Sequence, residues 1–252
     1  MSESARARAE IQRRYFEDAD ADRFHWTVSA PGFAETEDAL LEPLLAHVES
    51  PCLELGCGEG NNLTRLSRRA RCMGTDLFPR KLRFARRQLP GVGLVAAEAS
   101  ALPFRSGAFS TVFVRDLLHH VPDPASTLAE AVRVLRPGGS LLLLEPNGRN
   151  PLVRLQTHLI RAERDARGFD RERIAGWLAA QPVEAIRTEM RQALPLRRLL
   201  LHYRFGLPSL GRHPGARRLL ARSEEVLGRF LPRSRWSYVT AVARRRAAGS
   251  SP

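Results

Sequence analysis

Residues 53–62 read LELGCGEGNN. An apolar run (Cys52, Leu53, Leu55) leads directly into Gly56, Gly58 and Gly60, and an amphipathic stretch with Leu63, Leu66 and Ala70 follows. The order predicts strand, tight glycine turn, helix. Glycine at every second position lets the chain turn sharply, because φ > 0 is open to it and no Cβ intrudes. A ligand can then lie against the main chain at a helix N-terminus, where free N–H groups point outward. The carboxylate of Glu54 stands just before the turn.

The turn alone fits more than one ligand. The dinucleotide fingerprint G-x-G-x-x-G needs its third glycine one place later, where this chain has Asn61. The pyrophosphate-binding version therefore fits badly. Asp76 closes the next apolar run, Cys72 to Thr75, and follows Gly56 by 20 positions. An acid at that distance, at a strand end, is placed to accept two ribose hydroxyls. A ribose is expected and a pyrophosphate is not.

The segment Glu54-Leu55-Gly56-Cys57-Gly58-Glu59-Gly60 resembles the first motif of class I S-adenosylmethionine (SAM) dependent methyltransferases. Gly74-Thr75-Asp76 resembles their second motif, and Ala97-Glu98-Ala99-Ser100-Ala101-Leu102-Pro103-Phe104 their third. Leu118-His119-His120-Val121-Pro122-Asp123-Pro124, with Arg133-Val134-Leu135-Arg136-Pro137-Gly138-Gly139, is similar to the later motifs of the "type 11" small-molecule branch. The resemblance covers roughly residues 50–147. It implies a Rossmann-like, seven-stranded, mostly parallel α/β sheet with helices on both faces. It also implies SAM as cofactor, held by Glu54, Gly56, Cys57, Gly58, Asp76, Leu77, Glu98, Ala99 and the backbone of Arg115. Glu98 stands where the family more often has Asp, and its carboxylate can still accept from the adenine amino group. His119 and His120 follow the fourth strand, at the crevice edge of a parallel sheet. Either imidazole is a candidate general base, since its pKa lies near working pH. No metal ligand set is expected.

Composition fits one α/β domain with an elaboration: 252 residues are enough to bury a sizeable core. No apolar run approaches the ~18–20 residues needed to cross a bilayer. Met1 to Arg6 open no secretory signal, and Cys52, Cys57 and Cys72 lack metal or redox spacing. A cytoplasmic protein with reduced cysteines is the expectation. Charge is uneven: residues 1–146 carry net −1 and residues 147–252 net +14. A basic C-terminal part suggests an anionic substrate, an anionic membrane surface or nucleic acid. Nucleic acid is disfavoured, because no Asn-Pro-Pro-Tyr-like signature follows strand four and aromatics are only 7%. A non-catalytic SAM-fold scaffold is disfavoured by the intact glycines and Asp76. The sequence does not set the oligomeric state.

Strands are expected near 52–56, 72–76, 93–97, 109–115, 140–145, 183–192 and 235–244. Helices are expected near 36–48, 60–70, 79–88, 124–135, 151–166 and 170–181. Residues 1–26 read as a polar helix and an aromatic turn (Phe24, His25, Trp26), and 27–36 as a loop around Pro31-Gly32. Tyr15, Phe16, Phe24 and Trp26 are candidates for a lid over substrate. The organisation is therefore N-terminal helices and lid (1–50), SAM-binding core (51–147) and a C-terminal part (148–252). That last part completes the sheet and carries a Leu/Arg-rich helical cap at about 195–232, before the last strand. The expected acceptor is a small or lipid-like molecule, methylated at O, C or N, with possible peripheral contact between the cap and an anionic membrane. Residues 247–252 look disordered.

Overall fold

A computed structural model describes the backbone of residues 3–204 and 206–247, with side chains from residue 10 onward. Of the stretch expected to be disordered, residues 248–252 lie outside that range. Three helices come first: α1 (Glu3–Phe16), α2 (Ala21–Ser29) and α3 (Ala34–Leu45). The core then alternates β1 (Cys52–Leu55), α4 (Leu63–Leu66), β2 (Cys72–Asp76), α5 (Pro79–Gln88) and β3 (Gly93–Ala96). It continues with β4 (Phe109–Arg115), α6 (Pro124–Val134) and β5 (Leu135–Pro146). The C-terminal part holds α7 (Pro151–Leu159), α8 (Arg171–Ala179), β6 (Val183–Arg191), α9 (Leu196–Leu200), α10 (Pro214–Arg229) and β7 (Tyr238–Arg245).

The strands form one sheet in the order β3-β2-β1-β4-β5-β7-β6. Pairings from β3 to β5 are parallel, whereas β7 runs antiparallel to both β5 and β6. Every residue of β4 is buried, as a central strand covered on both faces requires. Its alternation assigns the faces: Val112 and Val114 join Leu141, Leu143, Leu128 and Ile174 on one side. Phe113 joins Leu142, Leu144, Leu41, Leu63 and Leu82 on the other. Period-two side chains on a strand thus build two cores from one run of sequence.

Several boundaries differ from the sequence reading. The aromatic turn is helical: Phe24, His25 and Trp26 lie inside α2, and the loop shrinks to residues 30–33. Asp20 caps α2 by accepting from Arg23 N at 2.9 Å, which starts a helix where aromatics alone suggested a turn. The helix expected at 60–70 is α only at Leu63–Leu66, because the glycine turn unwinds its start. The basic helix at 151–166 stops at Leu159 and continues as a 3₁₀ segment, Arg161–Gly168. Residues 136–139 bulge out of β5, where pairing with β4 slips from Leu135 to Ser140.

Candidate functional site

Strand order reverses direction between β1 and β4, and a crevice opens there at the carboxyl ends of the strands. It is a cavity of about 920 Å³. That is near the top of the ~300–1,000 Å³ usual for one small ligand, so a cofactor and an acceptor can share it. Gly56, Cys57, Gly58, Asp76, Leu77, Glu98, Ala99, Arg115 and His120 all line it. Glu54 and His119 do not.

The glycine turn forms one wall. Gly56 has φ 67°, a backbone state that favours glycine, and its Cα faces the Leu117 methyl groups. Gly58 N donates to Asp76 Oδ2 at 2.8 Å, and Phe78 N donates to Oδ1 at 2.9 Å. Each oxygen keeps lone pairs for a further donor. Burial pushes the Asp76 carboxyl up, against the pull of Lys81. Beyond Asp76, Leu77 is 59% exposed onto the cavity rim, an apolar surface available to a flat ring. Glu98 is exposed at the end of β3 and accepts from Ser100 Oγ. These groups fit a ribose and an adenine carried by one ligand.

Glu54 acts from behind the wall. It is 1% exposed, and Asn62 Nδ2 donates to its Oε1 at 2.7 Å. Burial lifts its pKa to about 8, so the carboxyl is protonated at neutral pH. Asn62 in turn accepts from Arg115 Nη1 at 3.0 Å, and both Asn62 and Arg115 line the cavity. The Arg115 side chain, and not only its backbone, therefore belongs to the site. Its Nη2 meets Glu37 Oε2 of α3 at 2.5 Å, and Arg198 Nη2 of α9 meets the other Glu37 oxygen at 3.2 Å. Burial opposes the Glu37 charge, but the two guanidiniums outweigh it and hold its pKa at about 2.

The two histidines take opposite states. His119 is 2% exposed, with Nδ1 2.7 Å from Glu145 Oε2 and Nε2 3.3 Å from Glu163 Oε2. Burial pulls this imidazole down, yet its bonds to Glu145 and Glu163 push it up to about 10. Burial and then the His119 charge hold His120 well below its ordinary value. Its Nδ1 is buried without a hydrogen-bond partner, and its ring meets Phe16 of α1 edge-on at 4.6 Å. His119, His120 and Glu163 bring ligand-type atoms within 4.8 Å of one another. With both His119 nitrogens facing carboxylates, the cluster reads as a charge network.

The sequence reading anticipated only part of the cavity's roof. Of the lid candidates, Phe16 and Trp26 line it, while Tyr15 and Phe24 do not. Arg23, Glu37, Glu59, Asn62, Lys81, Asp116 and Arg198 also line it. Asp116 has φ 48°, an uncommon backbone state for a non-glycine residue, directly after β4. Its position after a strand end signalled Asp116; Glu59 and Asn62 lie in the glycine turn and Lys81 in the helix after Asp76. Arg23, Glu37 and Arg198 come from elements distant in sequence.

A family model described as "Methyltransferase domain" matches residues 53–143. The chain is 42% identical over 94 residues to the phthiotriol/phenolphthiotriol dimycocerosates methyltransferase of Mycobacterium leprae, covering 35% of each chain. It is 33% identical over 161 residues to the trans-aconitate 2-methyltransferase of an Azoarcus species, covering 61% of this chain and 60% of that one. It spans under half the length of three curated relatives, at 46%, 35% and 41%. Among solved structures, the geranyl diphosphate C-methyltransferase of Streptomyces coelicolor superposes with a TM-score of 0.64 at 18% identity. That match covers 94% of this chain and 97% of the other. The motif order, the crevice and the family match identify residues 53–143 as a SAM-dependent methyltransferase domain, and the solved structures show the class I fold across the chain.

Proposed function

We propose that the protein transfers the methyl group of SAM to a small or lipid-like acceptor. The observation that carries this is convergence. The glycine turn, Asp76, Leu77 and Glu98 come from three strand ends and meet on one wall of one cavity. SAM, when bound, supplies an electrophilic methyl group on a sulfonium. The main chain at Gly56 to Gly58 and the Asp76 carboxylate hold and orient the cofactor. Phe16, Trp26 and Arg198 close the other side and exclude water. Orientation of this kind can supply ~7–11 kcal/mol of the barrier.

Of the pair only His120 lines the cavity, so it is the one placed to take a proton from an acceptor hydroxyl or amine, while burial and the His119 charge weaken it as a base. His119 is already protonated and serves to hold Glu145 and Glu163 in place. We place residues 196–229 as the cap over the acceptor half, on the strength of the Arg198 to Glu37 pair and of Tyr203 Oη, which donates to Asp20 Oδ2 at 2.6 Å. The outer stripe of α10 (Leu219, Val226, Leu227) and Phe230 beside it are exposed, with Arg218 and Arg222 adjacent. This supports peripheral contact with an anionic membrane. No described helix is long and apolar enough to cross one.

Calorimetric titration with SAM, then with S-adenosylhomocysteine (SAH), tests the reading. Binding of both at micromolar or tighter affinity is expected. No binding of either would overturn it.

A further inference from the structure

Six cations line the cavity: Arg13, Arg23, Arg80, Lys81, Arg115 and Arg198. Most are already matched. Arg80 pairs with Asp18, and Lys81 with Glu59 at 3.4 Å. Arg115 and Arg198 share Glu37. Arg13 is exposed at the mouth. Arg23, on α2, is half-buried, and among the described residues its guanidinium makes no ion pair and no hydrogen bond.

The acids around it are engaged elsewhere. Glu59, Glu163 and Asp116 influence Arg23, but each has a nearer cation: Lys81, His119 and Arg115 respectively. Burial opposes the Arg23 charge and these acids outweigh burial, yet the guanidinium keeps its hydrogen-bond donors unused. It offers a planar fork that matches a carboxylate or phosphate with two parallel bonds. The same cavity also has apolar lining, from Phe16, Trp26, Leu117 and Val121. Asp76 and Glu98 also line the cavity, and an anion close to them is repelled.

We propose that Arg23 seats an oxyanion carried by the methyl acceptor, a carboxylate or phosphate at the head of a mostly apolar molecule. The inference rests on the methyltransferase reading. The competing anion is the cofactor's own carboxylate, so the test separates the two.

The 252-residue chain is titrated by calorimetry with octyl phosphate, octanoate and 1-octanol, both alone and saturated with SAH. The two anionic probes are expected to bind at least about 10-fold more tightly than the alcohol. In Arg23→Gln, anion affinity falls by about 10- to 150-fold, the value of hydrogen bonds to a charged group, towards that of the alcohol. SAH affinity stays within about twofold, and Arg23→Lys keeps part of the preference for anions. A wild type that binds the anions no better than the alcohol overturns the proposal. So does an Arg23→Gln protein that keeps the preference. A parallel loss of SAH affinity also overturns it, since Arg23 then serves the cofactor. Should Arg23→Gln lose its thermal transition, Arg23→Lys and the charged-against-uncharged comparison on wild type decide. A wild type that does not bind SAH sinks the methyltransferase reading, while the titrations without SAH still decide Arg23.

Discussion

The two walls of the cavity are held by different physics. On the cofactor wall, contacts are short in sequence and made largely by main chain: Gly58 reaches Asp76 across 18 positions and Phe78 reaches it across two. Across the roof, contacts are long-range and ionic: Arg115 meets Glu37 across 78 positions, and Arg198 meets it across 161. A turn made of glycine and backbone N–H groups keeps its shape whatever binds above it. A roof held by charges in low dielectric depends on every partner being present. The first arrangement suits a ligand that never changes. The second can be re-specified by exchanging a few side chains.

The largest expected effect breaks the roof. Glu37→Gln leaves Arg115 and Arg198 facing a neutral amide inside the protein. Breaking a buried pair in this way costs about 3–5 kcal/mol, which lowers Tm by roughly 6–20 °C for a chain of this size. Scanning calorimetry measures it, and a shift below about 2 °C would show that the roof stands without the pair. The acid dependence has a definite sign. Glu37 and Glu163 have folded pKa values near 2, below their unfolded values, so their stabilisation is present above about pH 4.5 and is lost as pH falls towards 2.

The histidines sharpen the contrast next. With a suitable acceptor, His120→Ala should lower turnover by about 10²–10⁴ and leave SAM affinity little changed. His119 makes a different prediction, on stability. Its folded pKa of about 10 lies above the unfolded 6.5, so its contribution is full below pH 6.5 and fades as pH rises through 10. Wild type should lose Tm between pH 7 and 10, and His119→Asn should flatten that slope. An unchanged slope would remove the charged His119 from the account.

On the cofactor wall, Asp76→Ala should leave the protein folded and weaken SAM by about 10- to 150-fold for each ribose hydrogen bond lost. Calorimetry on folded variant decides it. Wild-type affinity would mean that the glycine turn alone holds the ligand.

This division also explains what could be read in advance. Asp76 was legible because a strand end and a glycine turn fix where it lands, and all seven strands lie within a few residues of their expected places. Gly56, Gly58, Leu77 and Glu98 follow from the same local grammar. Glu54 belongs to the grammar yet does not itself line the cavity: alternation along β1 puts it on the same face as Cys52, where Asn62, which does line it, donates to its carboxyl. Arg23, Glu37 and Arg198 were not legible. Each is an ordinary charged residue on a helix, and its role arises from partners that only the folded chain brings near. The His119 and His120 pair was visible as a pair. The split into one charged and one neutral ring depends on Glu145 and Glu163, both distant in sequence.

The smallest expected effect lies outside both walls. The buried positions of α10 are Glu224 and Gly228, and Glu224 holds Arg197 of α9 at 2.8 Å. Leu219, Val226 and Leu227 face outward instead, and Phe230, just past its end, is 83% exposed. A side chain that touches so little contributes little to folding, so Phe230→Ser should change stability by no more than about 0.5 kcal/mol. Inserted among lipid headgroups, the same ring would bury most of its surface, worth about 1.5–3 kcal/mol. Neighbouring arginines add roughly 1 kcal/mol each near an anionic surface. Co-sedimentation with anionic vesicles at low salt should therefore fall about 10-fold or more in Phe230→Ser, while the melting curve stays in place. Neutral vesicles should retain little of either protein. If wild type remains in the supernatant with anionic vesicles, the outward stripe of α10 has no membrane role, and the cap serves the acceptor alone.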